Sequence, residues 1–141
     1  MISRILRFFR RVACYLHHPR LPERTLSSDE YFAMVQAGNP PLIAPNVNST
    51  ADEAKMPASV RELLAIPGVV EVRFAVCMDT TFPDVVSCDQ AFVASNQTCF
   101  NPLLAWATRE GSNFVLPMPG TLWRKLEFTK QTQTIYFIPW D

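Results

Sequence analysis

The first sixteen residues carry the clearest periodic pattern in the chain. At 100° per residue, seven apolar side chains fall on one helical face, and four arginines fall on the opposite face with no acid among them. Pro19 and Pro22 follow and stop a helix, because proline lacks an amide hydrogen and disfavours helix in its predecessor. The pattern predicts an amphipathic helix whose apolar positions are Ile2, Ile5, Leu6, Phe9, Val12, Ala13 and Leu16, and whose arginines are Arg4, Arg7, Arg10 and Arg11.

Three further short helices are predicted from signals at their ends. A serine followed three residues later by glutamate has the spacing of a capping box and marks two of the starts. An Asn-Pro pair marks the third start, and a glycine follows each helix. The signals are Ser27/Glu30 with Gly38, Ser59/Glu62 with Gly68, and Asn101-Pro102 with Gly111, which predict helices over about 28–37, over 59–66 and from 101 onward.

Alternation of apolar and polar residues predicts the strands. The valine-rich run 69–78 is the strongest strand pattern, with Glu71 and Arg73 on its polar face. Near the C-terminus, Leu122–Phe128 and Thr134–Ile138 alternate on either side of a polar connection. This arrangement predicts a terminal antiparallel hairpin.

The order of these elements predicts an α+β fold, because helices and strands are interspersed without a repeating βαβ cycle. We expect a small single domain with a C-terminal antiparallel hairpin or sheet and three short helices, preceded by the N-terminal amphipathic helix. The predicted divisions are a basic arm over 1–18, a linker over 19–26 and an α+β body over 27–141. The body contains an extended proline-rich segment over 39–57.

Composition and charge narrow the class of protein. The 141 residues suffice for one domain, and 48% hydrophobic against 18% charged residues excludes a mostly disordered chain. No apolar run is long enough to span a bilayer as a helix. The zero formal charge hides an asymmetry: residues 1–24 carry +5 and residues 25–141 carry −5.

The basic arm suggests location and attachment. An arginine-rich, acid-free amphipathic helix at the N-terminus resembles a mitochondrial targeting presequence, and it also suits an anionic lipid surface. We expect it to be retained and to bind another subunit or lipid through Ile2, Arg4, Ile5, Leu6, Arg7, Phe9, Arg10, Arg11, Val12 and Leu16. Nucleic acid is disfavoured as a partner, because the remaining chain is acidic.

The cysteines do not have the spacing of a metal site. Cys77, Cys88 and Cys99 are separated by ten residues each, whereas zinc ligands come in close pairs. We therefore expect free, half-buried thiols, although a bridge from Cys99 to Cys77 or to Cys88 remains an alternative.

The other candidate groups favour ordinary surface roles. The adjacent His17 and His18 suit a polar helix end, and Asp79, Asp84 and Asp89 suit a solvated loop. The sequence predicts no catalytic residues, no cofactor site and no metal site.

These patterns favour a non-catalytic accessory subunit of a large assembly at the mitochondrial inner membrane, such as a respiratory-chain complex or ATP synthase. The partners would be other protein subunits. The alternative is a soluble ligand- or peptide-binding domain of viral or bacterial origin that forms homo-oligomers through the N-terminal helix. An enzyme with a cysteine nucleophile ranks third, because no histidine in the body could activate the thiol.

Overall fold

The structure is a computed structural model that describes residues 21–44, 54–77, 85–112 and 114–140. Within these ranges the chain forms one six-stranded sheet with three α-helices, which confirms the predicted α+β class. The predicted N-terminal helix, with all ten of its expected contact residues, lies outside the described residues.

The elements alternate irregularly along the chain. We number the strands β1 to β6 and the helices α1 to α3. Their bounds are β1 Thr25–Ser27, α1 Ser28–Gln36, β2 Leu42–Ile43, α2 Met56–Ala65, β3 Val69–Val76, β4 Ser87–Ser95, α3 Phe100–Arg109, β5 Leu116–Pro119, a 3₁₀-helix Gly120–Trp123, and β6 Thr134–Pro139.

β4 is the central strand of the sheet, whose order is β1-β3-β4-β6-β5 with antiparallel neighbours. One edge of β4 pairs with β3, and the other pairs with β6 from Gln90 onward. The short β2 pairs in parallel with Ser87 and Cys88, just before the β6 pairing begins. Both edges of β4 are therefore occupied, and Ala91 to Ser95 are all buried.

The helices cover one face of the sheet, which we call the helix face. Alternate strand residues point to it, and the side chains of all three helices pack on them. Tyr31 of α1 packs on Phe74 of β3, with ring centroids 5.7 Å apart. The strand residues in this core are Leu26, Ile43, Val72, Phe74, Cys88, Ala91, Val93, Tyr136 and Ile138, and the helix residues are Tyr31, Met56, Val60, Leu63, Leu103, Trp106 and Ala107.

On the opposite face, which we call the strap face, the described residues form no α-helix. This face is covered by residues 120–130, which we call the strap, because they run across the sheet without joining it. The buried cluster on this side comprises Ala75, Phe92, Ala94, Met118, Leu126, Phe128, Ile135 and Phe137, with Leu21, Leu116, Leu122 and Trp123 half-buried against it.

The predicted capping box of α1 is confirmed. The Ser27 hydroxyl accepts the Glu30 amide, and the Glu30 carboxylate accepts the Ser27 amide, both at 3.1 Å. The backbone hydrogen bond from Ser27, helped by the serine hydroxyl and by Arg73, holds the pKa of Glu30 below its usual value. Gly38 follows the helix with φ +81°, the left-handed conformation that glycine adopts without cost.

The second predicted capping box is wrong. α2 begins at Met56, three residues before Ser59, and Pro57 occupies its first turn where no amide donor is needed. Ser59 lies inside the helix, and its hydroxyl donates to Glu110 at the end of α3 instead of capping. α3 begins at Phe100, one residue before the predicted Asn-Pro start.

The predicted terminal hairpin is wrong in its first arm. Thr134–Pro139 does form a strand, but its neighbours are β4 and β5. Residues 122–128 leave the sheet after Pro119 and begin as a 3₁₀-helix, so their apolar alternation reflects packing on a sheet face. The part of the predicted linker at Thr25 and Leu26 forms β1, and residues 42–43 of the proline-rich segment form β2.

Candidate functional site

The first described residues, which precede β1, contact the sheet. Leu21, the first described residue, packs half-buried against the cluster that contains Phe92 and Phe137. Arg24 then accepts the Val76 amide through its carbonyl, which fixes the start of β1 beside the end of β3. The described chain therefore begins on the side of the sheet that carries the strap.

The strap is held at both of its ends. Its first residue, Gly120, follows β5 and lies against the Thr132 and Gln133 carbonyls so closely that no Cβ would fit. Further along, the Thr25 hydroxyl donates to the Leu126 carbonyl at 3.0 Å, and the Thr25 amide donates to Glu127 Oε1 at 2.8 Å. The strap thus crosses from β5, at one edge of the sheet, to β1 at the other.

Glu127 adopts a conformation that is unusual for a residue with a side chain. Its φ is +66°, in the left-handed region, while its carboxylate is bonded to the amide of the edge strand β1. That amide faces away from β3 at the open edge of the sheet. The glutamate therefore satisfies an edge donor that another strand could otherwise use.

Burial separates the inward and outward side chains of the strap. Leu126 and Phe128 are buried against the sheet, whereas Arg124, Lys125 and Lys130 are exposed. Since the strap lies over the strap face, these three cations project away from the sheet on that side. The Arg124 guanidinium lies 5.0 Å from the centroid of the half-buried Trp123 ring, a cation–π contact.

Two acids beside the strap are engaged in contacts within the fold. Glu71 accepts the Thr129 amide at 3.0 Å and the Thr129 hydroxyl at 2.8 Å, and it pairs with Arg73 at 3.3 Å. Glu127 accepts the β1 amide, as described above. Residues 120–130 carry three cations and one acid, so the outer surface of the strap is basic.

The helix face has the opposite charge balance. The helices with their flanking residues Lys55 and Glu110 carry four acids and three cations. Arg109 pairs with Glu62 and lies 3.4 Å from Glu110, while Arg61 lies over the Phe32 ring at 5.0 Å. Across the sheet, the described body therefore has a basic side and an acidic side.

Ser59 and Glu110 form the closest serine–carboxylate pair among the described residues. The neighbouring hydrogen bonds join secondary-structure elements to each other. The Trp106 indole donates to the Ser59 carbonyl at 2.9 Å, and the Trp140 indole donates to the Glu110 carbonyl at 3.0 Å. These bonds connect α2, α3 and the end of β6. The serine hydroxyl donates to the carboxylate directly, so the pair fixes two helices together.

The described cysteines are placed differently from one another. Cys88 and Cys99 are free thiols, and both are fully buried rather than half-buried as predicted, while Cys77 is half-buried at the end of β3. Burial, with a smaller contribution from Asp89, raises the pKa of Cys88 to about 12. Cys88 is therefore protonated at neutral pH and is a poor nucleophile.

Of the other candidate residues, only one lies within the described ranges. Asp89 is a half-buried residue of β4, whereas His17, His18, Asp79 and Asp84 lie outside the described ranges. Within 21–44, 54–77, 85–112 and 114–140, no group of three His, Cys, Asp or Glu side chains is arranged to hold a metal ion. Nor does any helix in those ranges have the length and apolar character needed to cross a membrane.

Sequence reasoning missed the basic strap. The hairpin prediction treated Trp123, Arg124 and Lys125 as part of a strand, in which alternate residues would face opposite sides. The available signal was the Pro119-Gly120 pair directly before a Trp-Arg-Lys run, which favours a chain that leaves the sheet.

Comparison with protein-family models, with curated proteins and with solved structures gives no match to this chain. The geometry of the described body and the pattern of the arm are therefore the basis for the functional proposal.

Proposed function

We propose that this protein is a non-catalytic accessory subunit of a large multiprotein complex at the mitochondrial inner membrane, such as a respiratory-chain complex or ATP synthase. The observation that carries the proposal is the arm itself, whose apolar stripe and arginine face are segregated without a single acid between them. The N-terminal helix is the anchor, and the α+β body is the part that the anchor positions.

Two features of the body support this proposal. The closest serine–carboxylate pair joins helices, and the most buried thiol is held in its protonated form, so these groups serve stability. Leu21, the first described residue after the arm, packs on the strap face. A large apolar side chain contributes about 1.5–3 kcal/mol when it leaves water, so an exposed arm stripe would strongly favour a partner.

The location is tested by fusing residues 1–24 to a reporter. We expect import into mitochondria, and we expect loss of import when Arg4, Arg7, Arg10 and Arg11 are replaced by glutamate. A reporter that stays in the cytosol with the intact arm would contradict the mitochondrial assignment.

The anchor is tested in the full chain with the double substitution Leu6→Asp and Phe9→Asp. We expect the substituted protein to lose its stoichiometric partners on native purification while its circular dichroism stays unchanged. The matched control is Ser3→Asp with Cys14→Asp, which adds the same two charges between the arginines of the opposite face and should keep the partners.

Three outcomes would overturn this assignment. Full co-purification of the Leu6→Asp/Phe9→Asp protein would place the anchor in the body. Unfolding of the same protein would show that the arm belongs to the core of the domain. Purification of the native protein as a homo-oligomer alone would favour the ligand- or peptide-binding alternative.

A further inference from the structure

We propose that the outer surface of the strap binds anionic phospholipid headgroups and forms a second membrane contact beside the arm. This inference rests on the proposed function, because it assumes that the arm brings the protein to a membrane. The surface consists of the exposed cations Arg124, Lys125 and Lys130 beside the half-buried Trp123, and Leu21, the first described residue, packs on the same side of the sheet.

The packing of the strap determines the direction of its three cations, Arg124, Lys125 and Lys130. Leu126 and Phe128 use the inner side of the strap for the core, so the strap cannot turn over without exposing two large apolar groups. Hydrogen bonds that Thr25 donates to the strap, and that Thr129 of the strap donates to Glu71, hold the same segment against β1 and β3. The three cations are thereby held on one outward surface by the packing beneath them.

The charges on the strap face favour an anionic partner. Two acids beside the strap are bonded to backbone amides of the fold: Glu71 accepts the Thr129 amide, and Glu127 accepts the Thr25 amide. Glu71 is also paired with Arg73. The strap cations form no ion pair with the described residues, so they are available to an external anion.

Trp123 and the amphipathic pattern of the arm favour a lipid surface over other polyanions. A Trp side chain beside basic residues suits the headgroup region of a bilayer, where an amphipathic ring and cations are both favoured. The arm offers an apolar stripe with an arginine face, the pattern of a helix that lies in a membrane interface. A single weak anchor binds reversibly, and a basic patch next to it supplies the second contact that stable attachment needs.

The opposite side of the molecule gives the expected orientation. The helix face carries more acids than cations, and an anionic membrane would repel it. With the strap against the membrane, α1 to α3 face away from it. The protein is thereby oriented as well as attached.

The experiment measures sedimentation of the full-length protein with vesicles of phosphatidylcholine alone and with vesicles that also contain cardiolipin. We compare the wild type with Arg124→Gln/Lys125→Gln/Lys130→Gln, which removes the strap cations without touching a buried side chain. The matched control is Lys55→Gln/Arg61→Gln/Arg109→Gln, which removes three exposed cations from α2, from the residue before it and from α3. Thermal unfolding of each variant confirms that it is folded.

We expect the wild type to bind cardiolipin vesicles more tightly than phosphatidylcholine vesicles, and salt to weaken this binding. Loss of the strap cations should lower the vesicle affinity by about fivefold per cation, roughly 100-fold in all. The control should bind within about threefold of the wild type, because its charges lie on the other face.

Equal affinity of the strap variant and the wild type would overturn the inference, and so would an equal loss in the control. Binding of the wild type to polyuridylate that the strap variant loses, with vesicle binding unchanged, would assign the surface to RNA and reject the lipid. The Leu6→Asp/Phe9→Asp protein separates the two proposals. If it loses its protein partners while the wild type binds no vesicles, the anchor stands and the strap inference fails.

Discussion

Cys88 has the most strongly perturbed side chain among those of the helix-face core. It is fully buried in β4, where it packs with the residues under α1 and α2. Burial raises the pKa of its thiol from 9.0 to about 12, and burial also raises the pKa of Tyr31 from 10.0 to about 12. Both groups hold their protons in the folded chain at a pH where the unfolded chain releases them.

The stability of the protein should therefore fall as the pH rises above about 9. Below that pH the folded and the unfolded chain both keep the Cys88 proton. Between pH 9 and 12 only the folded chain keeps it, so the free energy of unfolding falls by up to about 1.4 kcal/mol per pH unit. Urea unfolding at pH 8 and pH 10 should show a loss about 1 kcal/mol larger for the wild type than for Cys88→Ala. Equal losses in the two proteins would show that Cys88 is ionised in the folded state or absent from the core.

Two glycines should respond differently to substitution by alanine. At Gly120 a Cβ would overlap the Thr132 carbonyl, and no flexible side chain is available to move aside. At Gly38 there is open space, and only the positive φ opposes a side chain. We expect Gly120→Ala to cost more than about 2 kcal/mol of unfolding free energy and Gly38→Ala about 1 kcal/mol. Similar costs would contradict the close approach of the chain at the start of the strap.

At the scale of elements, the connection between α2 and α3 depends on one half-buried carboxylate. Glu110 accepts the Ser59 hydroxyl, and its carbonyl accepts the Trp140 indole. Nearby, Glu62 and Arg109 form an ion pair whose side chains are 58% and 56% exposed. The first pair is shielded from water and the second is screened by it.

Ser59→Ala should therefore destabilise the protein more than Glu62→Ala. Removing the serine takes away the shorter of the two hydrogen bonds to Glu110 Oε1, the other being from Arg109, and should cost about 1–3 kcal/mol. Removing Glu62 breaks an exposed pair and should cost less than about 1 kcal/mol. Denaturant titrations of the two variants measure the difference, and a larger effect at Glu62 would contradict the burial of Glu110.

Local signals predicted the elements whose ends are fixed by local chemistry. The Ser27–Glu30 box defines α1, because both bonds lie within four residues of the chain. The central strand β4 was not predicted: its sequence contains Asp89, Gln90 and two alanines, and it becomes a strand because β3 and β6 pair with its two edges. The strap was misread because packing on a sheet face produces the same alternation as pairing within the sheet.

On the scale of the whole molecule, the charge asymmetry of the sequence takes a more specific form. Between residues 25 and 140 the described part of the chain carries seven bases and seven acids, so the −5 of residues 25–141 comes from residues outside it. The described body is neutral in sum, but its strap is basic and its helix face is acidic. The overall negative charge of residues 25–141 therefore does not disfavour an anionic partner at the strap face.

From the pairing of the sheet we also predict which residues are the last to unfold locally. β4 has a hydrogen-bonded neighbour on each edge and a buried cluster on each face, so its amides exchange only when both cores are disrupted. The strap is held by a few hydrogen bonds and two buried side chains, and it can separate while the sheet stays paired. Native-state hydrogen exchange should therefore place Ala91 to Ala94 near the global free energy of unfolding and Arg124 to Thr129 well below it.

The short edge strand β1 should exchange with the strap, since the Thr25 amide and hydroxyl both bond to strap atoms. Gly120→Ala tests this coupling: it should accelerate exchange in the strap and β1 more than in β4, since it strains the start of the strap and leaves the β4 pairings intact. Uniform acceleration across all three would show that the strap and the sheet unfold as one unit, and that the strap face is as rigid as the core beneath it.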